Sequence, residues 1–151
     1  MVADSYQFDI PSYWRGRVRV SVSGDDVVVY SAAYPSFAVC RFKVGNAQNL
    51  TGGDIGNARM GAIKLSGDRN VQMWATRWAF VAADAALQGT AGGTIPTDAQ
   101  AQELTDLQTG GSITYKAIRV QFVGSKAQNT SLLSNIDSYM SRAVLPSLKA
   151  R

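Results

Sequence analysis

A chain of 151 residues with 46% hydrophobic and 17% charged residues has the size and composition of one globular domain and lies outside the disordered class. Its net charge is +4, but the fifteen cations are scattered without a run of three, which argues against a dedicated nucleic-acid-binding segment. It has no histidine and one cysteine, Cys40, which excludes histidine-dependent triads, histidine-ligated metals and four-cysteine metal sites within one chain.

The first part of the chain alternates apolar and polar residues with the period of two that indicates half-buried strands. A first strand is predicted in YQFDI, ending near Pro11. A β-hairpin is predicted where RGRVRVSVS and DVVVYSAA flank Gly24, Asp25 and Asp26. A further strand is predicted in FAVCRFKV, where the apolar neighbours of Cys40 indicate a buried thiol rather than a reactive one.

The same strand pattern places two cations together. In FAVCRFKV, Phe37, Val39, Arg41 and Lys43 are predicted to share one face, opposite to the face that holds Cys40.

The middle of the chain predicts a loop, a second hairpin and a short helix. The loop GNAQNLTGGDIGN is rich in glycine and asparagine, and it matches neither phosphate-binding glycine motif. The hairpin is predicted where ARMGAIKLS and NVQMWATRW flank Gly67, Asp68 and Arg69, with Trp74 interpreted as a core residue. From Trp78, the alanine-rich WAFVAADAALQG predicts a helix of about two to three turns.

A capping box marks the next helix. Thr97 is followed three residues later by Gln100, which predicts a helix from about Asp98 to Gln108, closed by Gly110 or Gly111. The segment SITYKAIRVQF is ambiguous between a strand and irregular structure.

A last, amphipathic helix is predicted from about Thr130 to Leu145, ending at Pro146. Its apolar stripe is formed by Leu132, Leu133, Ile136, Met140, Ala143 and Val144. The expected fold of residues 1–151 is therefore one α+β domain, with an antiparallel sheet from the N-terminal half covered on one face by helices.

An arginine row is the most conspicuous candidate site. YWRGRVRVSVSG places Arg15, Arg17 and Arg19 at alternating positions, so that on one strand they would span about 13 Å. Neighbours in such a row repel by only about 0.6 kcal/mol in water, so a solvated, edge-protecting face is one interpretation. The other is a surface that binds an anionic polymer, such as a teichoic acid or a nucleic acid backbone, together with the aromatic Trp78.

Carboxylates offer little sign of acid-base chemistry. Most of the aspartates have local explanations at turns and caps, and Glu103 is the sole glutamate. No pair of carboxylates is marked for glycoside hydrolysis, and no cofactor or metal is predicted.

A resemblance to PsbP/Mog1-like domains is carried by FDIPSYW, the alternating strand after it, the Gly-Asp turn and VVVYS. The chain is also similar over most of its length to an uncharacterised family of secreted lipoprotein domains of Gram-positive bacteria, through FDIPSYWRGRV, VVVYSAAYP and LTDLQTGGSITY. The resemblance implies a PsbP/Mog1-like fold, and since its motifs are structural it implies no functional residue. Members of that family follow a leader and a lipidated cysteine, so this chain is expected to be a domain whose leader has been removed.

These observations predict a non-enzymatic binding or interaction domain, extracellular or membrane-anchored through a leader absent from this chain. The candidate partners are an anionic cell-wall polymer and a protein; no specific nucleic acid and no transmembrane segment are expected. Two alternatives stay open: a cytoplasmic protein-binding adaptor, and a carboxylate-dependent hydrolase of cell-wall glycan.

Overall fold

The computed structural model describes residues 1–35, 38–46, 57–76, 97–116 and 129–151, with side chains other than those at 46, 57–59, 76 and 129–134. The predicted helix from Trp78, most of the loop GNAQNLTGGDIGN and the second half of SITYKAIRVQF lie outside these residues. In the described first half of that segment, Tyr115 and Lys116 are helical.

Within the described residues, five strands form an antiparallel sheet and two α-helices follow it, so the protein belongs to the α+β class. In chain order the elements are β1 (Tyr6–Gln7), β2 (Val18–Ser23), β3 (Asp26–Ser31), β4 (Ala38–Asn46), β5 (Asn57–Lys64), β6 (Arg69–Thr76), α1 (Asp98–Thr109), α2 (Asn129–Ala143) and β7 (Lys149–Ala150). The sheet order is β2-β3-β4-β6-β5, and β1 pairs with β7 in a separate two-stranded ribbon. Single 3₁₀ turns cover Ser12–Trp14 and Leu145–Ser147.

Both predicted hairpins are confirmed. Ser23 pairs with Asp26, which leaves a two-residue turn in which Gly24 has a φ of 63°. A positive φ at the first turn residue suits the twist of the flanking strands and carries no steric cost for glycine. The β5–β6 turn likewise contains Gly67, with a φ of 68°.

The predicted boundaries of α1 are confirmed within a residue. The Gln100 N–H donates to Thr97 Oγ1 at 3.2 Å, and the Thr97 N–H donates to Gln100 Oε1 at 2.8 Å, which completes the capping box. The helix ends at Gly110, whose φ of 74° is the left-handed geometry common at helix C-termini.

The helices cover one face of the sheet, as the apolar stripe of the last helix predicts. Ile136 and Met140 of α2 are fully buried, and the side chain of Leu132 lies outside the described residues. The sheet residues of the same buried cluster are Val27, Val29, Cys40, Phe42, Val71, Met73 and Ala75. Leu104 and Leu107 of α1 belong to it as well.

Packing of α1 also involves two polar side chains. Trp14 is fully buried and its indole N–H donates to the Leu107 carbonyl at 2.6 Å, so it satisfies an acceptor in the last turn of α1. The Gln108 side chain donates to the Val39 carbonyl at 3.1 Å. Val39 is the extra residue of a β-bulge, since Val29 pairs with Cys40 while Tyr30 pairs with Ala38.

This bulge corrects one sequence-based expectation. Val39 was expected to share a face with Arg41 and Lys43, but it is fully buried together with Cys40. An unpaired extra residue interrupts the alternation, so the predicted two-face pattern holds only from Cys40 onward.

The first strand also differs from the sequence-based prediction. The strand predicted in YQFDI is two residues long and lies outside the main sheet, where it pairs with β7. Tyr6 and Phe8 are both buried, and the Phe8 ring stacks on Phe42 with centroids 4.4 Å apart. Their alternation therefore reflects packing of the segment against the core face of the sheet.

Trp74 is a further correction, because it is not part of the core. Val71, Met73 and Ala75 face inward along β6, so alternation turns Trp74 to the opposite face, where it is half-buried.

We predict that Ile136→Ala lowers the free energy of unfolding by about 2 to 5 kcal/mol, because it removes buried methyl groups and leaves a cavity between α2 and the sheet. Urea unfolding followed by circular dichroism measures the loss. The exposed Ser138 lies on the same helix, and Ser138→Ala should change stability by less than about 0.5 kcal/mol. Equal effects of the two substitutions would contradict the burial of Ile136.

Candidate ligand-binding face

The structure does not bring the arginine row onto one strand face. Strand β2 begins at Val18, and Arg15 and Arg17 lie in a turn around Gly16, which has a φ of 75°. The positive φ of that glycine takes the chain out of the extended conformation that a row requires. Only Arg19 lies in the strand, so the predicted spacing of the three cations is wrong; their role in binding stays a prediction.

Arg17 is directed toward α1. Its guanidinium lies 3.7 Å from the Glu103 carboxylate and 4.6 Å from the centre of the Tyr13 ring. Hydrogen bonding to Tyr13 and the charge of Glu103 raise the pKa of Arg17 above its usual value. With side-chain exposures of 37% for Arg17 and 21% for Glu103, the ion pair contributes at most about 1 kcal/mol. Arg17 therefore attaches the turn to α1 and is engaged before any ligand arrives.

A different group of cations lies together on the sheet face opposite to the core, which we call the outer face. The strand register places Arg41 opposite Trp74, Lys43 opposite Gln72, and Lys64 opposite Asn70. Since directly paired residues share a face, all six belong to the outer face. It continues onto β3 and β2, where Tyr30 pairs with Arg19. Among the outer-face cations whose side chains are described, Arg19, Arg41, Lys43 and Lys64 are all exposed.

A shallow groove of about 200 Å³ lies between β3 and β4 on this side. Its lining is formed by Asp26, Val27, Val28, Arg41, Phe42 and Lys43. The groove therefore combines an apolar floor with two cations and one carboxylate. Arg41 and Lys43 are two residues apart on one strand, which separates their Cα atoms by about 6.7 Å.

Charge pairing in the described residues leaves these cations available. The Asp25 carboxylate forms an ion pair with Arg69 at 3.2 Å and accepts hydrogen bonds from the backbone N–H and the hydroxyl of Ser5, both at 2.7 Å. The Glu103 carboxylate forms an ion pair with Arg17. Among the described residues, no ion pair joins Arg41 or Lys43 to a carboxylate. Within the described part of the chain, neither cation therefore has an ion-pair partner to lose when it binds an anion.

A chain of side-chain hydrogen bonds runs along β6 on the same face. The Trp74 indole N–H donates to Gln72 Oε1, and Gln72 Nε2 donates to Asn70 Oδ1, each at 3.2 Å. Asn70 and Gln72 are each 5% exposed. The buried amides fix the orientation of the indole ring, which lies opposite Arg41 in register.

Sequence reasoning noticed the alternation of Arg41 and Lys43 but did not propose them as a site. The sequence signal that could have identified them is the alternation of cations with apolar residues, which also marks the arginine row. Trp78, the aromatic residue proposed with that row, lies outside the described residues.

No cluster of three or more histidine, cysteine, aspartate or glutamate side chains suited to a metal ion is found in the described part of the chain. No helix among those described is both long and apolar enough to cross a bilayer. Comparisons with protein-family models, curated proteins and solved structures found no match to this chain.

We predict that the Cys40 thiol does not react in the folded protein. Its side chain is fully buried, and burial raises the pKa of the thiol well above its usual value, so the reactive thiolate is scarce at pH 8. Labelling with a chromogenic disulfide reagent should be slow in buffer and complete within minutes in denaturant. Rapid labelling of the folded protein would show that Cys40 is accessible.

Proposed function

We propose that this chain is a non-enzymatic binding domain, displayed outside the cell, whose outer face binds a polymer with repeated phosphodiester charges. The observation that carries the proposal is the pair of exposed cations, Arg41 and Lys43, which lie beside each other over the groove without an ion-pair partner among the described residues. Neighbouring unpaired cations attract anions and are stabilised when an anion lies between them.

The extent of the outer face favours a polymer over a small anion. Its cations lie on β2, β4 and β5, and β2 and β5 are the two ends of the five-strand order. Four strand spacings amount to about 19 Å, which is longer than a single phosphate or carboxylate ligand. A chain carrying regularly spaced charges can contact Arg19, the groove and Lys64 at the same time.

Asp26 limits which anions fit the groove. Its carboxylate lies at the β3 end of the groove lining, so a dense cluster of negative charge would be repelled there. A phosphodiester carries one charge per unit and can place it between Arg41 and Lys43. A polyol phosphate of the teichoic acid type matches this requirement.

The proposal includes a PsbP/Mog1-like fold and a place among secreted lipoprotein domains. An α+β architecture with helices on one face of an antiparallel sheet supports the first of these. The second rests on the resemblance of FDIPSYWRGRV, VVVYSAAYP and LTDLQTGGSITY. The hydrolase alternative gains no support from the groove, since Asp26 is the single carboxylate among its described lining residues and hydrolysis needs two.

We predict that Arg41→Gln combined with Lys43→Gln weakens binding to polyglycerol phosphate roughly tenfold to a hundredfold at low salt, because two charge-assisted contacts are lost. The slope of log K against log salt should fall by about 1.4, which corresponds to two phosphates on a single-stranded polymer. Fluorescence anisotropy with labelled polymer at several salt concentrations measures both quantities.

The matched control removes the same charge elsewhere. Lys116 and Arg142 are exposed and neither lies in the sheet, so Lys116→Gln with Arg142→Gln should leave the salt slope nearly unchanged. An equal loss in the control would place binding outside the outer face. Absence of polymer binding by the unmodified protein at 20 mM salt would reject the proposal.

A second polymer distinguishes the source of the phosphodiester. Oligouridylate offers the same charges together with bases that stack on aromatic rings. If a nucleic acid were the ligand, Trp74→Leu would weaken oligouridylate binding by about 1 to 3 kcal/mol and leave polyglycerol phosphate unaffected. We expect both polymers to respond equally little to this substitution.

A further inference from the structure

Strand β2 presents an exposed apolar edge that the binding function does not use. Val20 and Val22 are 36% and 46% exposed, although both point to the core side of the sheet. They pair with Val29 and Val27, which are almost completely buried. The two described helices, α1 and α2, therefore cover β3 but do not extend over β2.

None of the described strands pairs with the outer backbone edge of β2. β2 stands at the end of the strand order, so only β3 pairs with it among the described residues. The Ala32 N–H donates to the Arg17 carbonyl at 2.8 Å, so the backbone N–H and C=O groups of Arg17 point toward β3. Because the backbone direction alternates along a strand, the backbone groups of Arg19, Ser21 and Ser23 also point toward β3. The N–H and C=O groups of Val20 and Val22 therefore point to the unpaired edge.

Devices that normally protect an edge strand are few on β2. It pairs with β3 in regular register over six residues, Val18–Ser23, without proline or a bulge. Arg19 is its single charged residue, and that side chain lies on the outer face rather than beside the valines. A regular strand with unpaired backbone groups and exposed valines is a template for another strand.

We infer that β2 is a dimerisation edge, at which a second copy of this chain adds its own β2 antiparallel to the first. We place the two-fold axis at Ser21, because the alternative valine-paired register, centred on Val20, would bring the two copies of Arg19 to within about 7 Å of each other along the strands. The register centred on Ser21 pairs Val20 with Val22 of the second copy and Arg19 with Ser23, so four valines meet on the core side. The two copies of Arg19 lie about 14 Å apart along the strands, which avoids like charges in direct opposition.

This register also satisfies the backbone. Val20 and Val22, whose N–H and C=O groups point outward, become hydrogen-bonded pairs, and Ser21 becomes a non-hydrogen-bonded pair with its own copy. A register centred on Arg19 would place the two guanidinium groups opposite each other and leave Val22 without an apolar partner.

The symmetry joins the two outer faces. A two-fold axis perpendicular to the sheet continues the five strands into a ten-stranded sheet, with both outer faces on the same side. This inference does not depend on the proposed ligand, because the experiments that test it measure only the self-association of the protein.

Cysteine cross-linking tests the register. The non-hydrogen-bonded pair at Ser21 brings the two Cα atoms to about 4.5 Å, within the range of a disulfide. Ser21→Cys should therefore form a covalent dimer under mild oxidation, while the buried Cys40 does not compete. Ser23→Cys is the matched control, because that residue lies about 14 Å from its own copy along the strands and should not cross-link.

Both serines are exposed, so both variants should fold, as circular dichroism will verify. Failure of Ser21→Cys to cross-link at millimolar protein, or equal cross-linking of Ser23→Cys, would overturn the inference.

A second experiment tests the valines without a covalent bond. The average mass of the unmodified protein in light scattering should rise from 16.2 kDa toward twice that value with concentration. Val20→Lys with Val22→Lys places like charges opposite each other and should weaken the dimer at least tenfold. Ala33→Lys with Ser138→Lys adds the same charge at exposed positions outside the sheet and should leave the dimer intact. A protein that stays monomeric to millimolar concentration would exclude the dimer.

Discussion

One-sided burial of the sheet is the constraint on which the remaining structure depends. Helices α1 and α2 place Leu104, Leu107, Ile136 and Met140 against a single face, where they join the inward residues of β3, β4 and β6. Strand side chains alternate between two faces, so covering one face determines the environment of every second residue. The cations of β4 lie on the outer face because Cys40 and Phe42 occupy the core.

The bulge at Val39 connects the helices to the candidate site. It inserts an extra residue into β4, and the Gln108 side chain of α1 donates to the carbonyl of that residue. A bulge re-aims the side chains that follow it, so this hydrogen bond is one of the contacts that link the position of α1 to the outward direction of Arg41 and Lys43. In the β2–β3 turn, Asp25 connects Ser5 and Arg69.

The sequence predicted well wherever local chemistry decides the conformation. The Thr97–Gln100 capping box, the left-handed Gly110, the turns at Gly24 and Gly67 and the burial of Ile136 each follow from residues close together in the chain. These features depend on side chains and dihedral preferences that act within a few residues.

Predictions were less successful where distant residues compete for the same position. YQFDI has the alternation of a sheet strand, yet its partner is β7, more than 140 residues later in the chain. Arg17 has the alternation of a strand residue, yet a turn and the Glu103 carboxylate of α1 determine its direction. The candidate site was only partly predictable, since the pairing of Arg41 with Trp74 requires the β4–β6 register. A pattern in one segment cannot show which residues of another segment lie opposite to it.

The structure shows helices on one face of the sheet and exposed cations on the other, and we propose that these cations bind a phosphodiester polymer. An NMR titration with polyglycerol phosphate tests this proposal most directly, because each backbone amide reports its own surroundings. The account predicts shift changes concentrated at Arg19, Arg41, Lys43 and Lys64, with the amides of α1 and α2 nearly unchanged. Changes concentrated on α2, or no saturable change at low salt, would contradict it.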